Sequence, residues 1–118
     1  MQSAKIDTEI RTVDESIGVI DIAGEVTGFA ADTLNQTYEQ VVASGYRKIV
    51  LNFEKMDYLN SSGIGVLVTL FVRASDDGND LVVAGLRSHF RRIFNLTRLQ
   101  EVVPVFDDEV NAIRYFAS

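Results

Sequence analysis

Asp57-Tyr58-Leu59-Asn60-Ser61-Ser62-Gly63-Ile64-Gly65-Val66-Leu67 joins two stretches of different period, and that joint decides the fold. Upstream, Arg47 to Phe53 carries Ile49-Val50-Leu51 and Phe53, the apolar run of a strand buried inside a parallel sheet. Downstream, Ser62 to Ser75 places Ile64, Leu67, Val68, Phe71 and Val72 at helical spacing. A buried strand followed by an amphipathic helix belongs to a βαβ unit. Open α/β sheets put their sites beyond the carboxyl ends of strands, where Asn60 to Gly63 falls.

The alternation of periods continues in both directions. Lys5 to Val13 reads as a half-buried strand, with Ile6, Thr8, Ile10 and Thr12 on alternate positions. After Asp14-Glu15-Ser16, Ile17 to Ile22 reads as its hairpin partner, closed by Gly24. Ala30 to Ser44 sets Leu34, Tyr38, Val41 and Val42 on one helix face, with Gly45 as the stop. Leu81 to Ala84 is a short buried strand between Gly78 and Gly85. Ser88 is expected to cap a helix whose inner face is Phe90, Ile93, Phe94 and either Leu96 or Leu99. Val102 to Phe106 contains the only proline, Pro104, and reads as an edge strand. Asp107 is expected to cap a last helix, with Val110, Ile113 and Phe116 or Ala117 inward. The expectation is one α/β domain over residues 1–118, in the order β-β-α-β-α-β-α-β-α. Four or five strands form a mixed, mostly parallel sheet with right-handed crossovers and about four helices.

Composition narrows the function. The 118 residues are 47% hydrophobic and 24% charged, enough to bury a core without staples. The absence of cysteine removes disulfides and thiolate metal sites. A net charge of −6 argues against nucleic acid and anionic membrane as partners. Ile64 to Val72 is about half the length of a membrane span, and Met1 to Ile10 lacks the apolar run of a signal peptide, so a cytoplasmic protein without membrane insertion is expected. Arg87, Arg91, Arg92 and Arg98 read as a solvated helix face, and the lone His89 as surface. Asp76, Asp77 and Asp80 around Gly78 lack the spacing of an EF-hand loop. Gly63 and Gly65 do not make a P-loop, the paired acids of a phosphoaspartate receiver are missing, and no nucleophile stands with a base. A non-enzyme with no cofactor or metal is expected.

At the helix start, Asn60, Ser61 or Ser62 can each cap the first turn. A helix N-terminus also accepts negative charge, so a phosphate on either serine is compatible with the fold. At 100° per residue, Ser62, Val66, Thr69 and Arg73 lie opposite the apolar face, with Leu70 at the margin. Apolar residues beside a modifiable hydroxyl fit a protein interface. The plainer reading of the same residues is a Ser-Ser cap, with Gly63 and Gly65 allowing close packing.

Three stretches resemble the STAS domain of bacterial anti-sigma factor antagonists. They are Val50 to Phe53 with Met56 to Leu67, Ile20-Asp21-Ile22-Ala23-Gly24-Glu25-Val26, and Phe94-Asn95-Leu96-Thr97-Arg98-Leu99. The family pattern is an aliphatic strand, a short loop, and Asp-Ser-Ser-Gly-Leu-Gly opening a helix. The resemblance implies a partner switch. The unphosphorylated antagonist binds an anti-sigma factor that is also a serine kinase of the histidine-kinase-like ATPase class. Phosphorylation of the second serine, here Ser62, releases it, and a serine phosphatase resets the switch. The implied docking surface comprises Val66, Thr69, Leu70, Arg73 and Thr27. Asn60 stands where the family has Asp, Thr27 where an acidic residue often follows Gly-Glu-Leu, and Arg98 where glycine is common. Competing readings are a STAS module without a phospho-switch, such as a constitutive non-catalytic subunit of a lipid-transport ABC complex, and a nucleotide-binding protein.

Overall fold

A computed structural model describes residues 5–117; residues 1–4, part of the Met1 to Ile10 reading, lie outside it. β1 (Ile6–Val13) and β2 (Ile17–Val26) form an antiparallel hairpin. The chain continues through α1 (Ala31–Ala43), β3 (Lys48–Leu59), α2 (Ser61–Asp76), β4 (Asp80–Ala84), α3 (Ser88–Leu96), β5 (Val105–Phe106) and α4 (Glu109–Ala117). The sheet order is β1-β2-β3-β4-β5, parallel at every pair except the first. The expected α/β order is the observed one.

Burial on both faces makes the central strands apolar throughout. On one side, Ile20, Ile22, Ile49, Leu51, Phe53 and Val83 meet Leu34 and Tyr38 of α1, Leu67, Leu70 and Phe71 of α2, and Phe90 and Phe94 of α3. On the other, Ile17, Val19, Val50, Val82 and Ala84 meet Ala112 of α4, with Ile113 and Phe116 half-buried beside it. Three helices therefore cover one face and a single helix the other. Arg11 clamps the second face. Its guanidinium donates to Asp21 and to Glu109, tying β1 and β2 to α4, and those bonds, Asp21 first, push its pKa further up.

Several boundaries differ from the sequence-based expectation, each for a physical reason. β2 does not close at Gly24; it continues to Val26 through two bulges. Gly24 lies at the second, with φ +91°, where a Cβ would come within 2.3 Å of the Lys5 carbonyl oxygen. β3 likewise runs past Phe53 to Leu59, because Lys55, Met56, Tyr58 and Leu59 pair with the extended β2. β4 ends at Ala84, opposite Asn52, so the last part of β2 and β3 projects beyond β4 as a ribbon, flanked by β1 as far as Gly24. The predicted strand Val102–Phe106 shrinks to two residues, since Leu99–Glu101 coil into a 3-10 turn. That turn buries Leu99 and leaves Leu96 76% exposed.

Two caps move by one residue. α3 opens on Arg87, which makes no side-chain cap, and Ser88 is the first helical residue. Arg87 remains exposed and donates to the Met56 carbonyl. Asp108, not Asp107, accepts from the Asn111 N–H at 2.9 Å, and Asp107 pairs with Arg91. Val110 points outward rather than in; Ala112 takes the buried position.

Tyr38 fastens the helical layer to the turn after α2. Its buried hydroxyl donates to Asp77 and accepts from the amide of Asn79, both at 2.8 Å. Burial raises its pKa, against the pull of the Asn79 amide, which lowers it, and with help from Asp77. The folded state thus favours the neutral phenol. That contribution is complete below the free tyrosine value of 10.0 and is lost as pH rises through the raised folded value. Tyr38→Phe is expected to cost about 1–2 kcal/mol in urea unfolding at neutral pH, because Asn79 loses a buried partner. The same variant should flatten the loss of stability that wild type shows above pH 10.

Candidate functional site

The β2–β3 ribbon ends on Val26 and Leu59, which are paired, and both chains turn there into helices. After β2, Thr27 starts a single 3-10 turn, Gly28–Ala30, its hydroxyl accepting from the Phe29 N–H at 3.2 Å. After β3, Asn60 starts α2. Its extended backbone and side-chain oxygen, accepting from the Gly63 N–H at 2.8 Å, make it the cap. The cap role is filled by Asn60 alone, so Ser61 and Ser62 are not caps. Both serines are exposed, and among the described residues neither hydroxyl has a hydrogen-bond partner.

Gly63 fixes how α2 sits. A Cβ built there would lie 1.9 Å from the Val26 carbonyl oxygen and 3.1 Å from the Thr27 nitrogen. The first turn of α2 therefore rests directly on the backbone leaving β2. With Gly63 inward, Leu67, Leu70, Phe71 and Ala74 follow it into the core. The inward face is rotated by roughly 80° from the one the apolar spacing suggested, at 100° per residue. Leu70 is thus 1% exposed and cannot contact a partner, while Val72, expected inside, is 47% exposed. Val66 packs partly against the core. Arg73 is spoken for as well. It donates to Asn35 at 3.0 Å, approaches Glu39 at 3.6 Å and lies over the Tyr38 ring. The exposed strip of α2 consists of Ser62, Gly65, Thr69 and Val72.

The 3-10 turn abuts this strip. A Cβ on Gly28 would lie 3.4 Å from the Ser62 Cβ. The next residue, Phe29, is 61% exposed, while Ala30 behind it is buried. Tyr58, at the tip of the ribbon, is 48% exposed. The spacing of apolar residues gave no signal for Phe29, which belongs to no helical or strand period. An aromatic directly after Gly28 and before a helix was the available clue.

Elsewhere on the surface, a groove of about 530 Å³ on the α4 face is lined by Arg11, Asp21, Asn52, Lys55 and Glu109. Within it Arg11 bonds both acids, and Asn52 donates to Glu109 at 3.3 Å. His89 stacks on the edge of Phe90, and Asp77 serves Tyr38. Among the described residues no helix is long and apolar enough to cross a membrane, and no cluster of metal-ligating side chains forms.

Comparison with known proteins gives a consistent picture. The STAS domain family matches residues 9–112. An anti-sigma F factor antagonist of Paenibacillus polymyxa is 22% identical over 96 residues, covering 80% of this chain and 82% of that protein. An anti-sigma factor antagonist from Mycobacterium paratuberculosis superposes with a TM-score of 0.82 at 23% identity, covering 99% of this chain and all of the other. The Bacillus cell fate determinant SpoIIAA in its phosphorylated form gives a TM-score of 0.66 at 18% identity, over 92% of this chain and 99% of that one.

The contact between Gly63 and Val26 has a direct test. Gly63→Ala is expected to cost about 3 kcal/mol, the upper range for overpacking, because the obstacle is backbone and cannot swing aside. Asn60→Asp should retain stability through the same cap, whereas Asn60→Ala should lose about 1 kcal/mol. Urea unfolding of the three variants checks the ranking.

Proposed function

This chain belongs to the STAS domain family, and from that premise we propose that it is an anti-sigma factor antagonist whose binding is gated by phosphorylation of Ser62. The observation that carries this reading is the free, exposed hydroxyl of Ser62, on the second residue of a helix already capped by Asn60. A serine needed as a cap would weaken the helix when modified. This one can take a phosphate with no loss inside the chain, and the positive end of the α2 dipole favours the added charge by up to about 1 kcal/mol. The relatives point the same way, since those matched in sequence are named as antagonists of anti-sigma factors, and a phosphorylated form exists for one structural neighbour.

In this mechanism the unmodified chain binds an anti-sigma factor through the end of the β2–β3 ribbon and the exposed strip of α2. The anti-sigma factor is itself an ATP-dependent serine kinase of the histidine-kinase-like ATPase class. Transfer to Ser62 places about −1.5 to −2 charges in a surface that was desolvated by the partner. The partner leaves because the charge cannot be buried unpaired, not because the domain refolds. A serine phosphatase restores the binding form. The chain works as a cytoplasmic binding protein and phosphate acceptor rather than a catalyst. Asn60 supports the same cap as the family's Asp without its charge, so the modified helix start carries one negative charge fewer.

Ser62→Asp is expected to weaken binding to the cognate anti-sigma factor at least tenfold, and Ser62→Ala to bind like wild type yet accept no phosphate. Titration calorimetry and phosphosite mapping by mass spectrometry check both. Equal binding by wild type and Ser62→Asp would sink the phospho-gate. Phosphate on Ser61 alone would move the acceptor by one residue. A constitutive complex with transporter subunits, without phosphate on either serine, would favour the non-switching module.

A further inference from the structure

Two features of the Ser62 surface are unexplained by the chain's own folding. The first is Phe29. It is 61% exposed, yet it stands on a turn held by the Thr27 hydroxyl, by the Ala30 N–H donating to the Thr27 carbonyl at 3.0 Å, and by buried Ala30. An exposed aromatic on a hydrogen-bonded turn, one residue from the glycine that lies beside Ser62, is the kind of side chain that anchors interfaces. The second is Gly65. It lies inside α2 on the exposed strip, and a Cβ added there would meet nothing within 4 Å. Glycine inside a helix is unfavourable relative to alanine, so neither backbone conformation nor internal packing accounts for it.

The charge around them is one-sided. The chain has no lysine or arginine between residues 12 and 46 or between 56 and 72, the stretches that supply Thr27 to Ala30, Tyr58, Ser62 and Gly65. Those stretches bring Glu25, Asp32 and Asp57 close to Phe29 and Asn60 in the chain, the last two exposed. Of the flanking cations, Arg73 is held by Asn35, Glu39 and Asp77, Lys55 lines the groove on the α4 face, Arg87 sits on the Met56 carbonyl, and Lys5 lies beside Glu25 at the start of β1.

Resting on the antagonist reading above, we propose that the anti-sigma factor seats Phe29 in an apolar pocket ringed by basic residues and presses close against α2 at the bare Gly65. The partner's chemistry follows from the surface. An aromatic knob asks for an apolar socket, acids flanking it ask for a basic ring, and a missing Cβ leaves room for a partner atom at van der Waals distance. The same geometry explains why a phosphate on Ser62 acts at this surface, because Ser62 stands between the knob and the bare turn.

The test uses purified full-length chain and each anti-sigma factor kinase encoded in the source genome, titrated by calorimetry in ADP-containing buffer. Phe29→Ala should weaken the wild-type complex at least tenfold with an unchanged melting temperature. Gly65→Ala should weaken it at least tenfold while raising the melting temperature by a few degrees, since alanine improves an exposed helix. Two opposite signs in one variant separate an interface role from a folding role. The association rate should fall several-fold between about 50 and 200 mM salt. If Ser62→Asp releases the partner but either Phe29→Ala or Gly65→Ala binds within threefold of wild type, the docking geometry is wrong and the phospho-gate stands. If wild type binds none of the kinases, the docking geometry falls together with the antagonist reading.

Discussion

A single contact between backbones governs the working end of this molecule. Gly63 lies against the carbonyl of Val26, at a distance that leaves no room for any side chain. Because one partner ends β2 and the other opens α2, the contact fixes the helix both in position and in rotation. Everything that matters on α2 follows from that rotation. Leu67, Leu70, Phe71 and Ala74 enter the core, and Ser62, Gly65, Thr69 and Val72 are left to solvent. Side-chain hydrophobicity then fills the space that the backbone contact defines. The apolar surplus of α2, which includes exposed Val72, shows that hydrophobicity alone would accept another rotation.

The rest of the fold holds this end steady. The β2–β3 ribbon extends beyond β4 and carries the paired residues Val26 and Leu59 out to the tip. Arg87 covers part of the ribbon's open edge by donating to the Met56 carbonyl. At the other end of α2, Tyr38, Asp77 and Asn79 bond the helix terminus to α1, and Arg73 lies across the junction. The helix is therefore pinned at both ends. Ser62 stands on that held helix, and α4 with its Arg11 clamp lies on the opposite face of the sheet.

The order of elements was legible in the sequence because each element keeps a clear period: two in β1, continuous apolar runs in β3 and β4, and near four in α1 and α3. The motif around Ser62 was legible too, as a strand end followed by a helix start. What could not be read has specific causes. Glu54, Lys55 and Asp57 are polar because the ribbon faces solvent, so the last part of β3 looked like a loop. The rotation of α2 depends on Gly63, which has no side chain and adds nothing to a hydrophobic pattern. Leu70 was therefore assigned to the wrong surface. Asp107 and Asp108 are adjacent acids that only geometry can tell apart as salt-bridge partner and cap. Phe29 escaped notice because a lone aromatic in a turn belongs to no repeating pattern.

Under the proposed phospho-gate, the unbonded hydroxyl of Ser62 bears on how long a signal would last. A group that makes no hydrogen bond within its own chain can be altered without breaking any bond that holds the fold. Beyond the modest pull of the helix dipole, the domain would offer no spring to push a phosphate off and no side-chain latch to keep it on. A phosphoserine there would share the slow hydrolysis of any phosphate ester in water, and its lifetime would belong to whichever enzymes write and erase it. The protein would then serve as a passive memory of one bit, its retention time set by the cell rather than by the fold.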